Sequence, residues 1–288
     1  MKREYRSIPR VLSIAGSDSG GGAGIQADLK AFARCGVYGM TAITAVTWQN
    51  TVAVEGVTAI PGEAIIGQVR AVAADIGVDA VKIGMLGTVE AIEAVNEALD
   101  LVSAAPVVLD PVMVAESGAP LLDPDAREAL VRLLLPRAAV VTPNLEEARA
   151  LVETAGAAAA GDREALARAI VSLGARCVVV TGGHDDELGR SAGEEAVDLY
   201  FDGERVVPLA GPRYAGGAAH GSGCTHSSAL AAHLALGFEP LEAAREAKAI
   251  ASEAVRDGLR TLGAGPGPVD VLGLASAAEA RSRSGPRR

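Results

Sequence analysis

The sequence predicts an α/β fold: a three-layer sandwich whose mostly parallel central sheet carries helices on both faces. Three observations predict it. Short apolar runs rich in Val and Ile alternate along the chain with amphipathic, Ala-rich segments, the pattern of a parallel sheet buried on both sides. Hydrophobic residues fill 49% of the 288 positions and aromatics only 3%, so a large core is feasible and must be built from Ala, Val, Leu and Ile. Polar and Gly-rich residues recur where the apolar runs end, which is where open α/β sheets bind ligands.

The elements follow in order. A first strand over residues 11–15 runs into the Gly-rich stretch 16–24, and a helix spans 23–34. The strand over 41–47 leads to Gln49-Asn50, and a helix covers 63–76. The strand at 80–85 is followed by a helix over 89–102, and the strand at 107–109 leads to Asp110-Pro111 and a helix over 125–134. The strand at 139–141 meets Thr142-Pro143-Asn144, then helices over 145–153 and 163–173. The strand at 177–181 ends in Thr181-Gly182-Gly183. Residues 197–201 and 206–209 flank Asp202-Gly203 and read as a hairpin with a tight turn. Helices over 225–236 and 241–261 complete the pattern. No repeat or long linker divides the chain, so residues 1–275 read as one domain and 276–288 as a basic, disordered tail.

Composition narrows the function classes. A net charge of −10 disfavours nucleic acid and anionic membranes as partners. No apolar run approaches the roughly 20 residues of a membrane span, and the first residues lack the apolar core of a signal peptide. Cys35, Cys177 and Cys224 lie far apart without metal-ligand spacing, so a reducing, cytoplasmic setting is expected.

The segment Gly221-Ser222-Gly223-Cys224-Thr225 joins a Gly-rich loop to an Ala-rich helix. Successive backbone N–H groups at such a junction, with the helix dipole, make an anion hole suited to a transferring phosphoryl group. The same field is expected to stabilise a Cys224 thiolate; a plain turn with a small buried Cys is the alternative. The stretch 16–24 lacks the P-loop spacing. A dinucleotide fingerprint drawn through Gly22, Gly24 and Ala27 has no acid about 20 residues on to hold a ribose. Asp28, four residues after Gly24, is expected on the helix face nearest the loop, as a ligand for an amino-heterocycle or as a solvated first-turn carboxylate. Gln49 offers a donor and an acceptor in one plane, as a pyrimidine edge requires, or is a turn residue. Asn144 and Glu147 have capping-box spacing, and Glu147 also suits a magnesium ion, with Asp110 as a second carboxylate in that environment. His184, His220, His226 and His233 form no ligand pattern, and His220 directly precedes the anion-hole segment.

Together these motifs resemble the ribokinase-like superfamily and, within it, the hydroxymethylpyrimidine/phosphomethylpyrimidine kinases of thiamine biosynthesis. The resemblance rests on residues 15–30 (AGSDSGGGAGIQADLK), 44–51 (TAVTWQNT), 82–86 (KIGML), 109–113 (LDPVM), 142–148 (TPNLEEA) and 220–225 (HGSGCT). It implies transfer of the ATP γ-phosphoryl group, with Mg²⁺, first to hydroxymethylpyrimidine and then to its monophosphate. It also implies that Asp28 and Gln49 hold the pyrimidine, that Ala23, Met85 and Val112 line its pocket, and that residues 221–224 form the anion hole with Cys224 at the base position. Asn144, Asp110, Thr181 and His220 fall in the nucleotide-phosphate region, Glu147 at the metal, and a homodimer is expected.

Two departures stand out against that resemblance. Thr181 replaces the lysine that such kinases carry before Gly-Gly-His, and Ala218-Ala219 replace Asn-Thr before His220. Arg213, in the preceding loop, is a compensating cation. The alternatives are a pyridoxine/pyridoxal kinase of the same superfamily and a non-catalytic pyrimidine-binding protein.

Overall fold

The structure, a computed structural model, describes residues 8–115, 118–157, 161–182, 195–214 and 217–284. Among them nine strands form one sheet in the order β3-β2-β1-β4-β5-β6-β7-β8-β9. The strands are β1 Arg10–Asp18, β2 Tyr38–Gln49, β3 Val54–Ala59, β4 Ala80–Ile83, β5 Val107–Leu109, β6 Val140–Val141, β7 Val178–Val180, β8 Glu195–Phe201 and β9 Val206–Pro212. Strands β2, β1, β4, β5, β6 and β7 are parallel. The edges are antiparallel, β3 on one side and β8–β9 on the other. Helices α1 (Gly24–Arg34), α7 (Ser222–Ala235) and α8 (Pro240–Arg256) bury Phe32, Leu230 and Ala247 against one face. On the other, α2 (Gly62–Asp75), α3 (Val89–Ala98), α4 (Pro124–Ala129), α5 (Leu145–Thr154) and α6 (Arg163–Ser172) bury Ile65, Ile92, Ala126, Leu151 and Ile170. The expected α/β sandwich is therefore present, with an Ala-rich core that lets helices lie close to the sheet. No helix of the described residues is long and apolar enough to cross a membrane.

Four departures from the sequence reading have local causes. Strand β3 escaped notice because it is an exposed edge strand interrupted by Gly56, where a Cβ would collide with the Trp48 ring. The helix expected over 125–134 is α-helical only to Ala129, and a wider π turn covers Leu130–Leu134. Helix α8 stops at Arg256 rather than residue 261, because Gly258 must pass directly against Ala218, with no room for a Cβ. The tail expected to be disordered from 276 is helical over α9, Leu274–Ser284. The buried Asp270 carboxylate accepts the N–H groups of Leu274 (2.9 Å) and Ala275 (2.8 Å), which caps this helix.

Candidate functional site

Because the six parallel strands run the same way, their carboxyl ends share one rim, and the Gly-rich loop after β1 opens it. Asp18 shapes this loop. Its carboxylate is 3% exposed and accepts N–H groups from Gly20 (2.8 Å), Gly22 (2.9 Å) and Ala23 (2.8 Å). Burial opposes its charge, but the His220 ring and the N–H groups outweigh burial and hold it below the usual carboxylate range. His220 Nε2 lies 3.6 Å from it. The two Gly-rich loops touch here. A Cβ on Gly22 would collide with the His220 ring, and one on Gly221 with the Gly22 carbonyl. Gly221 also has φ +82°, open to glycine without strain. From behind, Val269 N–H donates to the His220 carbonyl (3.1 Å).

Helix α7 begins at Ser222, three residues earlier than the sequence suggested, so the Gly-Ser-Gly-Cys segment forms its cap and first turn. The Ser222 N–H donates to the Ala219 carbonyl (2.9 Å), and that of Thr225 to Gly221 (2.9 Å). Among the described residues, the N–H groups of Gly223 and Cys224 have no carbonyl partner, as the first turn of a helix requires. They are the donors an anion hole needs. The Gly24 N–H points at the Cys224 sulfur.

Beneath α7 lies a buried charge network. Lys82, the one charged residue of β4, is 0% exposed and sits 2.9 Å from Asp28 Oδ1 and 3.7 Å from Asp110 Oδ2. Asp28 also accepts the Ser13 (2.6 Å) and Ser228 (2.7 Å) hydroxyls, and Asp110 accepts Ser227 (2.9 Å). Burial works against the Lys82 ammonium, but the two carboxylates outweigh it and hold its pKa above the ordinary value. Asp28 is thus not a rim residue. It sits on the face of α1 that packs on the sheet, and its carboxylate is satisfied inside the protein.

The same network alters Cys224. Burial pushes its thiol up to about 12; Lys82 opposes this, while Asp110 and Asp28 reinforce it. Burial and the two nearby carboxylates thus work against the stabilised thiolate that the helix start suggests, with Lys82 and the Gly24 N–H on the other side.

Asn144 and Glu147 form the capping box: Glu147 N–H donates to Asn144 Oδ1 (2.9 Å), and Asn144 N–H to Glu147 Oε2 (2.9 Å). Glu147 also faces Asp110. Burial pushes its carboxyl up to about 8, the Asp110 charge adds to this, and the N–H groups of Asn144 and Met113 oppose it. Asp110 is likewise raised, chiefly by burial, with Lys82 and Ser227 opposing. Two mutually repelling carboxylates at adjacent strand ends are a donor set that fits Mg²⁺, which takes one or two carboxylates and completes its shell with phosphates and water. No cluster of three or more His, Cys, Asp or Glu able to hold a metal occurs among the described residues.

Of the remaining predicted residues, Gln49 ends β2, its Oε1 accepting the Thr47 hydroxyl (3.2 Å) and its backbone pinned to Ser19 (2.7 and 2.9 Å). Met85 is nearly buried, its sulfur against Gly16. Val112, half-buried, follows Asp110 in a tight turn closed by its N–H (2.9 Å), and Ala23 caps α1. Thr181 bridges Asn144, and its hydroxyl turns back to the Pro143 carbonyl (3.5 Å), so it presents no charge. His233 packs edge-on against Phe238, and His184 lies outside the described residues. Sequence reasoning missed Asp18 and Lys82. Their signals were an acid opening a Gly-rich run and a lone lysine inside an apolar strand.

Residues 18–270 match the family described as phosphomethylpyrimidine kinase. The hydroxymethylpyrimidine/phosphomethylpyrimidine kinase of Rhizobium meliloti is 49% identical over 262 residues, covering 90% of this chain and 95% of that protein. The thiamine biosynthesis bifunctional protein ThiED of Geobacter sulfurreducens is 44% identical over 91% of this chain and 52% of its own length. Among solved structures, the pyridoxal kinase of Staphylococcus aureus in complex with ADP superposes with a TM-score of 0.82 at 37% identity, over 93% of this chain and 95% of that one.

Proposed function

The chain belongs to the phosphomethylpyrimidine kinase family, and we propose that its rim residues divide the work of two phosphoryl transfers. The enzyme transfers the ATP γ-phosphoryl group to hydroxymethylpyrimidine and then to its monophosphate, in thiamine biosynthesis. The observation that carries the site assignment is the contact between the two Gly-rich loops, which aims the first turn of α7 over the buried Asp28–Lys82–Asp110 network. In that place the Gly223 and Cys224 N–H groups stabilise charge developing on the transferring phosphoryl group. Gln49 reads the pyrimidine edge, and Ala23, Met85 and Val112 line its pocket. Asn144, Thr181 and His220 border the nucleotide phosphates. Asp110 and Glu147 would hold Mg²⁺, which would supply positive charge to the phosphate oxygens. Asp28 acts from below, holding Lys82 and through it Asp110. The protein works in the cytoplasm as a homodimer; sedimentation of the purified protein tests the dimer.

Cys224 contributes its backbone N–H and a small neutral side chain rather than a base. Phosphoryl transfer depends mainly on positioning and electrostatics, and the second acceptor is already mostly dianionic at neutral pH. Cys224→Ser is therefore expected to keep kcat within about tenfold for both acceptors, with no thiolate limb in the rate–pH profile between about pH 6 and 9. A drop of about 100-fold or more would restore the base role. Glu147→Gln is expected to raise the Mg²⁺ concentration for half-maximal rate about 10-fold or more, with the pyrimidine KM unchanged. An unchanged Mg²⁺ requirement would remove Glu147 from the metal.

The likeness to the S. aureus pyridoxal kinase supports a second acceptor, pyridoxal. ADP release with hydroxymethylpyrimidine, its monophosphate and pyridoxal as separate acceptors tests both readings. Turnover on both pyrimidines is expected; turnover on pyridoxal alone would replace the assignment.

A further inference from the structure

We propose that Thr51 is a positioning residue for the phosphoryl acceptor, joining the turn after β2 to a Gly-rich strap, residues 259–268, that also abuts the anion-hole loop. This rests on the kinase reading above, in which Gln49 meets the pyrimidine, and gives a part to a segment that reading leaves unused.

The strap follows α8, and its ends meet. The Leu259 N–H donates to the Pro268 carbonyl (2.8 Å), closing a compact surface loop. Its glycines stand where no side chain fits. A Cβ on Gly265 would collide with the Thr51 carbonyl, one on Gly263 with the Thr51 hydroxyl, and one on Gly267 with the Leu259 carbonyl. The Thr51 hydroxyl accepts the Gly265 N–H (3.3 Å). Backbone therefore lies directly on backbone, which only glycine allows.

Thr51 belongs to the turn that carries Gln49. The Asn50 side chain closes this turn, accepting the N–H groups of Val52 (2.9 Å) and Ala53 (3.0 Å), while the Asn50 N–H donates to the Ala53 carbonyl (3.1 Å). From the other side, a Cβ on Gly20 would lie 3.2 Å from the Gln49 carbonyl. The turn is thus clasped between the Gly-rich loop after β1 and the strap. The far end of the strap, the buried Pro268, bridges His220 and would lie 3.3 Å from a Cβ on Gly22. One closed loop therefore runs from the acceptor side of the rim to the start of α7. Phosphoryl transfer is sensitive to the spacing of acceptor and phosphoryl group, and the strap touches the elements that hold each.

The test is steady-state kinetics on variants of the full chain. Thr51→Val is expected to raise the KM for hydroxymethylpyrimidine and its monophosphate about 5-fold, the worth of one hydrogen bond, with the ATP KM unchanged. Thr51→Ser keeps the hydroxyl and is expected to restore wild-type values. Gly265→Ala pushes the strap off the Thr51 backbone and is expected to lower pyrimidine kcat/KM about 10-fold or more; if it does not fold, the Thr51 pair decides alone. A wild-type pyrimidine KM in Thr51→Val overturns the proposal even if the Tm falls, since the contact would then serve the fold only. An equal rise in the ATP KM overturns it, as does a rise that Thr51→Ser shares. Gln49→Ala tests the underlying reading separately: a wild-type pyrimidine KM there removes Gln49 from the pocket, while the Thr51 comparison still decides what the strap does. Should pyridoxal alone be phosphorylated, the pyrimidine assignment falls, and the KM for pyridoxal takes its place in the same comparison.

Discussion

Lys82→Met is expected to cost about 3–5 kcal/mol of folding stability, the usual result of removing one partner from a buried ion network. Lys82 is fully enclosed between Asp28 and Asp110. Without it, two carboxylates remain in the interior, held only by the Ser13, Ser228 and Ser227 hydroxyls. At least one must then take up a proton to fold. In the variant the folded-state carboxylate pKa lies above its unfolded value, so stability is greatest at low pH and falls as pH rises. A second change, Asp28→Asn, removes the uncompensated charge while keeping the side-chain volume, and should recover part of the loss at neutral pH. Urea denaturation between pH 5 and 8 measures all three proteins. A loss below about 1 kcal/mol in Lys82→Met would mean that the network does not hold the fold together.

Gly221→Ala is expected to reduce kcat by about 100-fold or more for both acceptors, the magnitude for misplacing oxyanion-type donors. Two effects act together. The left-handed backbone at φ +82° is strained by roughly 1–2 kcal/mol for an L side chain. The new methyl also meets the Gly22 carbonyl, so one loop must move. Either movement rotates the Gly223 and Cys224 N–H groups away from the phosphoryl position. Gly223→Ala is the matched control: nothing lies within 4 Å of a Cβ there, and its φ is not positive. It should leave stability unchanged or raise it by up to about 1 kcal/mol, the helix preference for Ala over Gly. Equal melting temperatures for the two variants would sink the explanation for Gly221.

The six parallel strands were legible because each is built on a short, mostly apolar run ended by polar or Gly-rich residues, interrupted only by such residues as Ser13 in β1, the threonines of β2 and Lys82 in β4. The hairpin β8–β9 was legible from Asp202-Gly203: Gly203 has φ +94°, and the Asp202 carboxylate accepts the Glu204 (3.1 Å) and Arg205 (2.7 Å) N–H groups. The capping box was a local pattern and closes as its spacing implied, and the Gly-Ser-Gly-Cys segment lies at a loop-to-helix junction, though the helix begins three residues earlier than the sequence suggested. Strand β3 and the end of α8 were not legible, since Trp48 over Gly56 and Ala218 under Gly258 are contacts between distant segments.

For this protein the sequence alone determined the α/β class, the rim of strand ends and the residue types gathered there, because strand periodicity, turn chemistry and helix caps act over a few residues. Tertiary structure alone decided which polar groups are buried together. Asp28 looked like a ligand because Gly24 is four residues away, yet Ser13, Lys82 and Ser228 draw it inward from three other elements. Cys224 looked like a thiolate because a helix begins beside it, yet its protonation follows burial and two carboxylates from α1 and the end of β5. Electrostatics in an interior of low dielectric depends on the charges nearby in space, and that proximity is a property of the fold.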